Sequence, residues 1–173
     1  MRTVKIEELS LKEFQPFGFY ANHINPETEK IGKPPIEFFR DIVQLDLGST
    51  PKASFSTCRV EKRELMVDVS EYHSSVGEGI LPLDNDIIIH VGPATSPDSS
   101  VPLEKIRAFR VPQGTLVVLR PGVWHHAPFT INDNPANVLI ILPERTYAND
   151  CHVTELHGED RIKIEEIYRE KDR

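Results

Sequence analysis

The sequence predicts an all-β domain, a sandwich or barrel of many short strands. Three observations lead there. Fourteen prolines and nine glycines punctuate the 173 residues at short intervals. The runs between them are short and rich in Val, Ile and Phe, the pattern of strands joined by turns. One of them, Ile87-Ile88-Ile89-His90-Val91, is continuous and mostly β-branched, as suits a buried strand.

Each element follows from its own residues. Thr3 to Glu7 alternates Val4 and Ile6 with polar residues and predicts a strand. Ser10 with Glu13 forms a capping box for a short helix from Leu11 to Phe14, and Leu9 with Phe14 forms its hydrophobic staple. Gln15-Pro16-Phe17-Gly18 ends it. Pro26 to Pro35 is polar and turn-rich and predicts a loop. Strands are predicted over Phe38–Leu47, Ala53–Val60, Leu65–Val69 and Ile80–Leu83. Asp84-Asn85-Asp86 is a turn before the apolar run at Ile87, and Pro93 to Pro102 is a loop. Ile106–Val111, Thr115–Leu119, Trp124–Ile131 and Val138–Leu142 complete the strands. Over Arg161–Lys171, Ile164, Ile167 and Tyr168 form a helical stripe while Ile162 and Ile164 also fit a strand, and of the two a terminal helix is predicted.

Length and charge exclude several classes. No internal repeat or composition shift divides the chain, so residues 1–173 read as one domain. No apolar run approaches the ~20 residues of a membrane span. Met1 to Leu11 lacks an apolar signal core, which predicts no secretion and a cytoplasmic location. A net charge of −7 opposes general nucleic-acid binding, which needs a basic face. Cys58 and Cys151 stand far apart in no CxxC spacing, and read as free, small apolar residues in a reducing compartment.

The chemistry lies in two pieces. Glu71-x-His73 is followed five residues later by Glu78, and side chains at i and i+2 share one face of a strand. Gly77 and Gly79 let the chain bend so that Glu78 joins them. The second piece is Pro121-Gly122-Val123-Trp124-His125-His126, a tight turn and then a strand with His125 on one face and Trp124 and His126 on the other. Imidazole and carboxylate together suit a first-row divalent metal. This spacing resembles the two motifs of the cupin superfamily. In cupins they lie on adjacent strands of a small jelly-roll barrel (a double-stranded β-helix), and their side chains converge on a metal in the lumen. The resemblance implies such an antiparallel two-sheet barrel here, with one or two short helices.

A closer resemblance covers about Phe14 to Val153. Ile106-Arg107-Ala108-Phe109, Gly114 and Val123-Trp124-His125-His126-Ala127-Pro128 look like the ureidoglycolate lyase family. So do Glu71-x-His73 leading through Gly79 to Leu81-Pro82, Glu144-Arg145 before Asn149-Asp150-Cys151, and Phe14 to Gly18. Members are cupin-fold, generally dimeric enzymes of allantoin catabolism that split ureidoglycolate into glyoxylate and urea. The chain departs from the family at Glu78, where glutamine is usual, and at Glu144-Arg145, where an Asp-Arg pair is usual. His90 also stands where an apolar residue is expected.

The resemblance and the spacing together imply a divalent ion, Ni, Zn, Mn or Fe, on Glu71, His73, Glu78 and His125. Glu71, Glu78 and His125 are the candidate catalytic residues, either carboxylate serving as base where it is not a ligand. Arg107 and Arg145 are candidate clamps for a small carboxylate substrate, and His90 a candidate pocket residue. Each has a plainer alternative: a surface arginine, a satisfied core histidine. Trp124 reads as core, His126 as a packing or interface residue. A homodimer is implied, with no nucleic-acid or membrane partner. Two other classes stay open: another metal-dependent cupin enzyme, an isomerase or dioxygenase of a small hydroxy or keto acid, and a non-catalytic small-molecule-binding cupin.

Overall fold

The computed structural model describes residues 1–165. In chain order the elements are β1 (Arg2–Glu8), α1 (Leu11–Phe14), β2 (Gly18–Asn22), β3 (Lys30–Lys33), β4 (Ile36–Phe39), β5 (Ala53–Val60), β6 (Met66–Val67) and β7 (Val69–Tyr72). They continue with β8 (Glu78–Pro82), β9 (Ile87–Val91), β10 (Arg107–Val111), β11 (Thr115–Leu119), β12 (Phe129–Thr130), β13 (Ala136–Pro143), α2 (Thr146–Asn149), β14 (His152–Glu155) and β15 (Ile162–Glu165). Six strands form one sheet in the order β12-β9-β10-β1-β15-β6, and five form a second in the order β2-β11-β8-β13-β5. Two two-stranded sheets, β14-β7 and β3-β4, complete the strands.

The two sheets close over a shared apolar interior. Ile87, Ile89, Val91, Phe109 and Val111 enter it from the first sheet, and Ile80, Val117, Leu119, Val138, Ile140 and Leu142 from the second. Ile88 and Ala108 point the other way, into a second cluster with Trp124, Phe129, Ile162 and Ile164. This explains the unbroken apolar run of β9: it is buried on both faces, so alternation disappears. The architecture is a two-sheet β-barrel of the kind the sequence resemblance implies, with two four-residue helices. The Ser10 cap is present, its hydroxyl accepting from the Glu13 N–H at 3.3 Å.

Several local expectations are corrected. The barrel is not wholly antiparallel: β1 runs parallel to both β10 and β15. The predicted loop at 26–35 contains β3, and the predicted strand at 38–47 ends at Phe39, with Asp41 at φ 52° turning the chain. The stretch 124–131 is not one strand. Trp124 and His125 form isolated bridges to Gly92 and Glu71, and Pro128, which has no N–H to donate, separates them from β12. The predicted terminal helix is a strand over Ile162–Glu165, because Ile162 and Ile164 alternate into the second cluster. Its remainder lies outside the described residues. β2 and β14 went unpredicted.

Candidate metal centre

Glu71 and His73 follow one another along β7 and its exit. His125 is joined to them by a backbone bridge: the Glu71 N–H donates to the His125 carbonyl at 2.6 Å, and the His125 N–H to the Glu71 carbonyl at 2.8 Å. Gly122, at φ 81°, makes the turn that starts this segment, and its N–H donates to the His73 carbonyl at 2.6 Å. Glu78 opens β8 opposite Leu119 and shares a face with the interior residue Ile80. Gly77 just before it has no room for a side chain, since a Cβ there would lie 2.7 Å from the Leu119 carbonyl oxygen.

These four side chains converge. One ligand atom each from Glu71, His73 and His125 lie within 4.8 Å of one another. Glu78 Oε2 lies 2.9 Å from His73 Nε2 and 3.0 Å from His125 Nε2. His73, His125 and Glu78 are buried, at 2%, 3% and 7% exposure.

The ring tautomers follow from the far nitrogens. His73 Nδ1 lies 2.6 Å from the Asp150 carbonyl, and His125 Nδ1 2.8 Å from the Val123 carbonyl. A carbonyl only accepts, so both Nδ1 atoms carry hydrogen. In a neutral ring each Nε2 then presents a lone pair to a carboxylate oxygen. That contact is unfavourable unless a proton or a cation lies between. Histidines that bind metals are held in this way, through the other ring nitrogen. The donor set therefore fits a divalent cation.

Electrostatics agree. Burial pushes the Glu78 carboxyl up, but the charge of His125 and the hydrogen bonds of both imidazoles outweigh it and hold it at about 2. Burial pushes His125 down, and the Glu78 carboxylate more than reverses this, so its pKa is raised. Without an ion, protons fill the gap between the two groups.

The remaining sequence candidates sit elsewhere. Arg107 is held by the Glu7 and Glu13 carboxylates and by the Glu13 carbonyl. Arg145 adopts φ 65° at the start of α2, with its side chain 77% exposed and Nε 4.0 Å from Glu144. His90 shares the Ile88 face, away from the interior. Its Nε2 lies 3.3 Å from the Ser70 hydroxyl, while its Nδ1 has no partner among the described residues. Burial, with help from the charges of His125, His126 and Arg63, pushes His90 down to about 3, so it is neutral. His126 is half-buried, and burial lowers it. Trp124 packs in the second cluster and donates to Thr95 Oγ1 at 3.1 Å.

Sequence reasoning missed three neighbours. Cys151 is half-buried, and its Sγ donates to Glu71 Oε2 at 3.2 Å. Burial, the bond to Glu71 and the nearby carboxylates push this thiol up to about 12. Asp150 accepts from the N–H and hydroxyl groups of Ser74 and Ser75 at 2.6 to 2.9 Å. Burial alone would raise its carboxyl, and these bonds hold it at about 2. Burial pushes the Tyr147 hydroxyl on α2 up, and the charges of Glu78 and Glu71 add to this. The only local signal for the first two was the Asn149-Asp150-Cys151 element within the family-like stretch.

The chain is similar to known proteins. Two proteins of Burkholderia mallei, from strains NCTC 10229 and NCTC 10247, both named ureidoglycolate lyase, are 30% identical to this chain over 135 residues. The match spans 73% of this chain and 74% of each relative. Among solved structures, one on the Mn(II) centres of Bacillus subtilis oxalate decarboxylase and one on oxalate decarboxylase substrate binding each match at TM-score 0.42 and 18% identity. Each match covers 60% of this chain, which spans only 24% of those longer proteins. The family profile of ureidoglycolate lyase matches residues 1–165, and the chain belongs to that family.

Proposed function

We propose that this enzyme cleaves ureidoglycolate to glyoxylate and urea at a divalent metal held by Glu71, His73, Glu78 and His125. The observation that carries the reading is the approach of two Nε2 lone pairs and a carboxylate oxygen to one another, with both rings fixed from behind. When bound, the ion acts as a Lewis acid toward the substrate's hydroxyl and carboxylate oxygens.

The chain's own residues do the rest. Glu71 is the least buried of the four and, where it is not a ligand, serves as base, taking the hydroxyl proton. The oxygen's electrons form the carbonyl of glyoxylate, the carbon–nitrogen bond breaks, and the departing nitrogen takes a proton to become urea. Protonated Glu71 returns that proton, so the balance closes without a further reactant. Glu78, held anionic at about 2, is a ligand rather than a proton carrier. Of the two candidate arginines, Arg145 is the one open to the substrate carboxylate, since Arg107 is engaged by Glu7 and Glu13.

The enzyme acts in the cytoplasm as a homodimer in this reading. The family resemblance supports the dimer, and so does the β3–β4 pair, which exposes Ile31, Ile36 and Phe38 on one face. The deciding experiment is metal analysis of the purified protein with an assay of glyoxylate release. Metal with turnover supports the reading. Metal without urea release transfers the site to another small hydroxy or keto acid, a reading the four-residue ligand set favours.

A further inference from the structure

Two residues, one on each side of Cys151, grip the ligand segment from behind. The Asp150 carbonyl fixes the His73 ring, and its carboxylate ties down Ser74 and Ser75. His152 on the other side pairs with Tyr72 in the β14–β7 ladder. Cys151 lies between these anchors, so its sulfur is fixed relative to the strand that carries Glu71 and His73. Its Sγ reaches Glu71 Oε2 at 3.2 Å. Glu71 is only half-buried, and a glutamate has three side-chain torsions to restrain before it can serve as ligand or base. The thiol is the side-chain donor that meets it.

We propose that Cys151 is a positioning residue for Glu71, its S–H bond restricting the carboxylate to the orientation used at the metal centre. The inference rests on the metal reading above. A thiol that merely filled space would behave differently. Alanine would then be tolerated at least as well as serine, since neither restores the volume of the sulfur. A donor predicts the reverse order: Cys151→Ser keeps the bond and Cys151→Ala loses it.

The test uses the full chain and Mn(II) alone, a hard ion with little preference for thiols. Mn(II) affinity is measured by calorimetry for the wild type, Cys151→Ser, Cys151→Ala and Cys151→Val. The valine variant fills the space without a donor, and circular dichroism checks that each protein folds. Partners that orient ligands typically contribute about tenfold or more to affinity. Alanine and valine are expected to weaken Mn(II) binding about tenfold, with serine close to the wild type. Wild-type affinity in both donor-free variants overturns the inference, as does serine as weak as alanine. A wild-type protein that binds no Mn(II) overturns the metal reading together with this one.

Discussion

His73 and His125 direct their Nε2 atoms at the same oxygen of Glu78, from 2.9 and 3.0 Å. The two rings are 52 residues apart in sequence and sit 5.2 Å apart between centroids. Each is locked by a carbonyl at Nδ1. The arrangement demands a positive centre, which protons can supply and which a divalent ion would supply under the proposed function.

His125→Ala removes one arm of this arrangement. Metal content by elemental mass spectrometry is expected to fall to background, and glyoxylate release with it. Glu78→Gln keeps the shape but removes the charge, and is expected to lose the metal while remaining folded. Full metal content in either variant would show that the ligand set is wrong.

The pH dependence has a definite sign. The raised pKa of His125 contributes stability that is present below the unfolded value of about 6.5 and is lost as pH rises through the folded one. The lowered pKa of Glu78 contributes stability present above the unfolded value of about 4.3 and lost as pH falls through about 2. For this pair, the metal-free protein is therefore most stable between roughly pH 4.3 and 6.5. An added ion must displace protons, so its stabilisation grows as pH rises. Thermal unfolding with and without metal at several pH values checks both signs.

Arg145 and Arg107 separate by role. Arg145→Gln is expected to raise KM about tenfold, the order of a lost charge-assisted bond, with thermal stability unchanged. Arg107→Gln breaks part-exposed ion pairs to Glu7 and Glu13, costing about 1 kcal/mol or less and leaving KM unchanged. Steady-state kinetics and denaturant titration of the pair decide this. The opposite pattern would return the carboxylate to Arg107.

Asp150→Ala deletes four hydrogen bonds to Ser74 and Ser75. The expected cost is about 1–3 kcal/mol, read by urea denaturation. The wild-type contribution is present above the unfolded carboxylate value of about 3.9 and fades as pH falls through about 2. The gap between variant and wild type should therefore narrow in acid.

Phe38→Glu places a charge on the exposed face of the β3–β4 pair. Light scattering after size exclusion is expected to show a dimer for the wild type and a monomer for the variant. A wild-type monomer would remove the homodimer from the reading.

Much of the fold was legible locally. Ala53–Val60, Ile87–Val91 and Thr115–Leu119 were predicted as strands with the bounds they have, because alternation or continuous β-branched runs record which faces are buried. The Ser10 cap was legible for the same reason: it needs only residues within one turn. Where prediction failed, the missing information was nonlocal. Nothing in Val4 or Ile6 states that β1 runs parallel to both its neighbours. The stretch after Trp124 reads as a strand until Pro128 and the sheet partners decide how much of it pairs.

The site divides in the same way. The sequence by itself determined the donor types: two imidazoles and two carboxylates in spacings that strands place on one face. Only the tertiary structure decided that Glu71 bridges to His125, that Glu78 enters from the five-stranded sheet, and that Asp150 and Cys151 bond to His73 and Glu71. It also decided that Glu7 and Glu13 occupy Arg107. The physical reason is range. Strand periodicity is set by neighbours two residues apart, whereas a binding centre is set by sheet register between segments tens of residues apart, and no local pattern encodes that register.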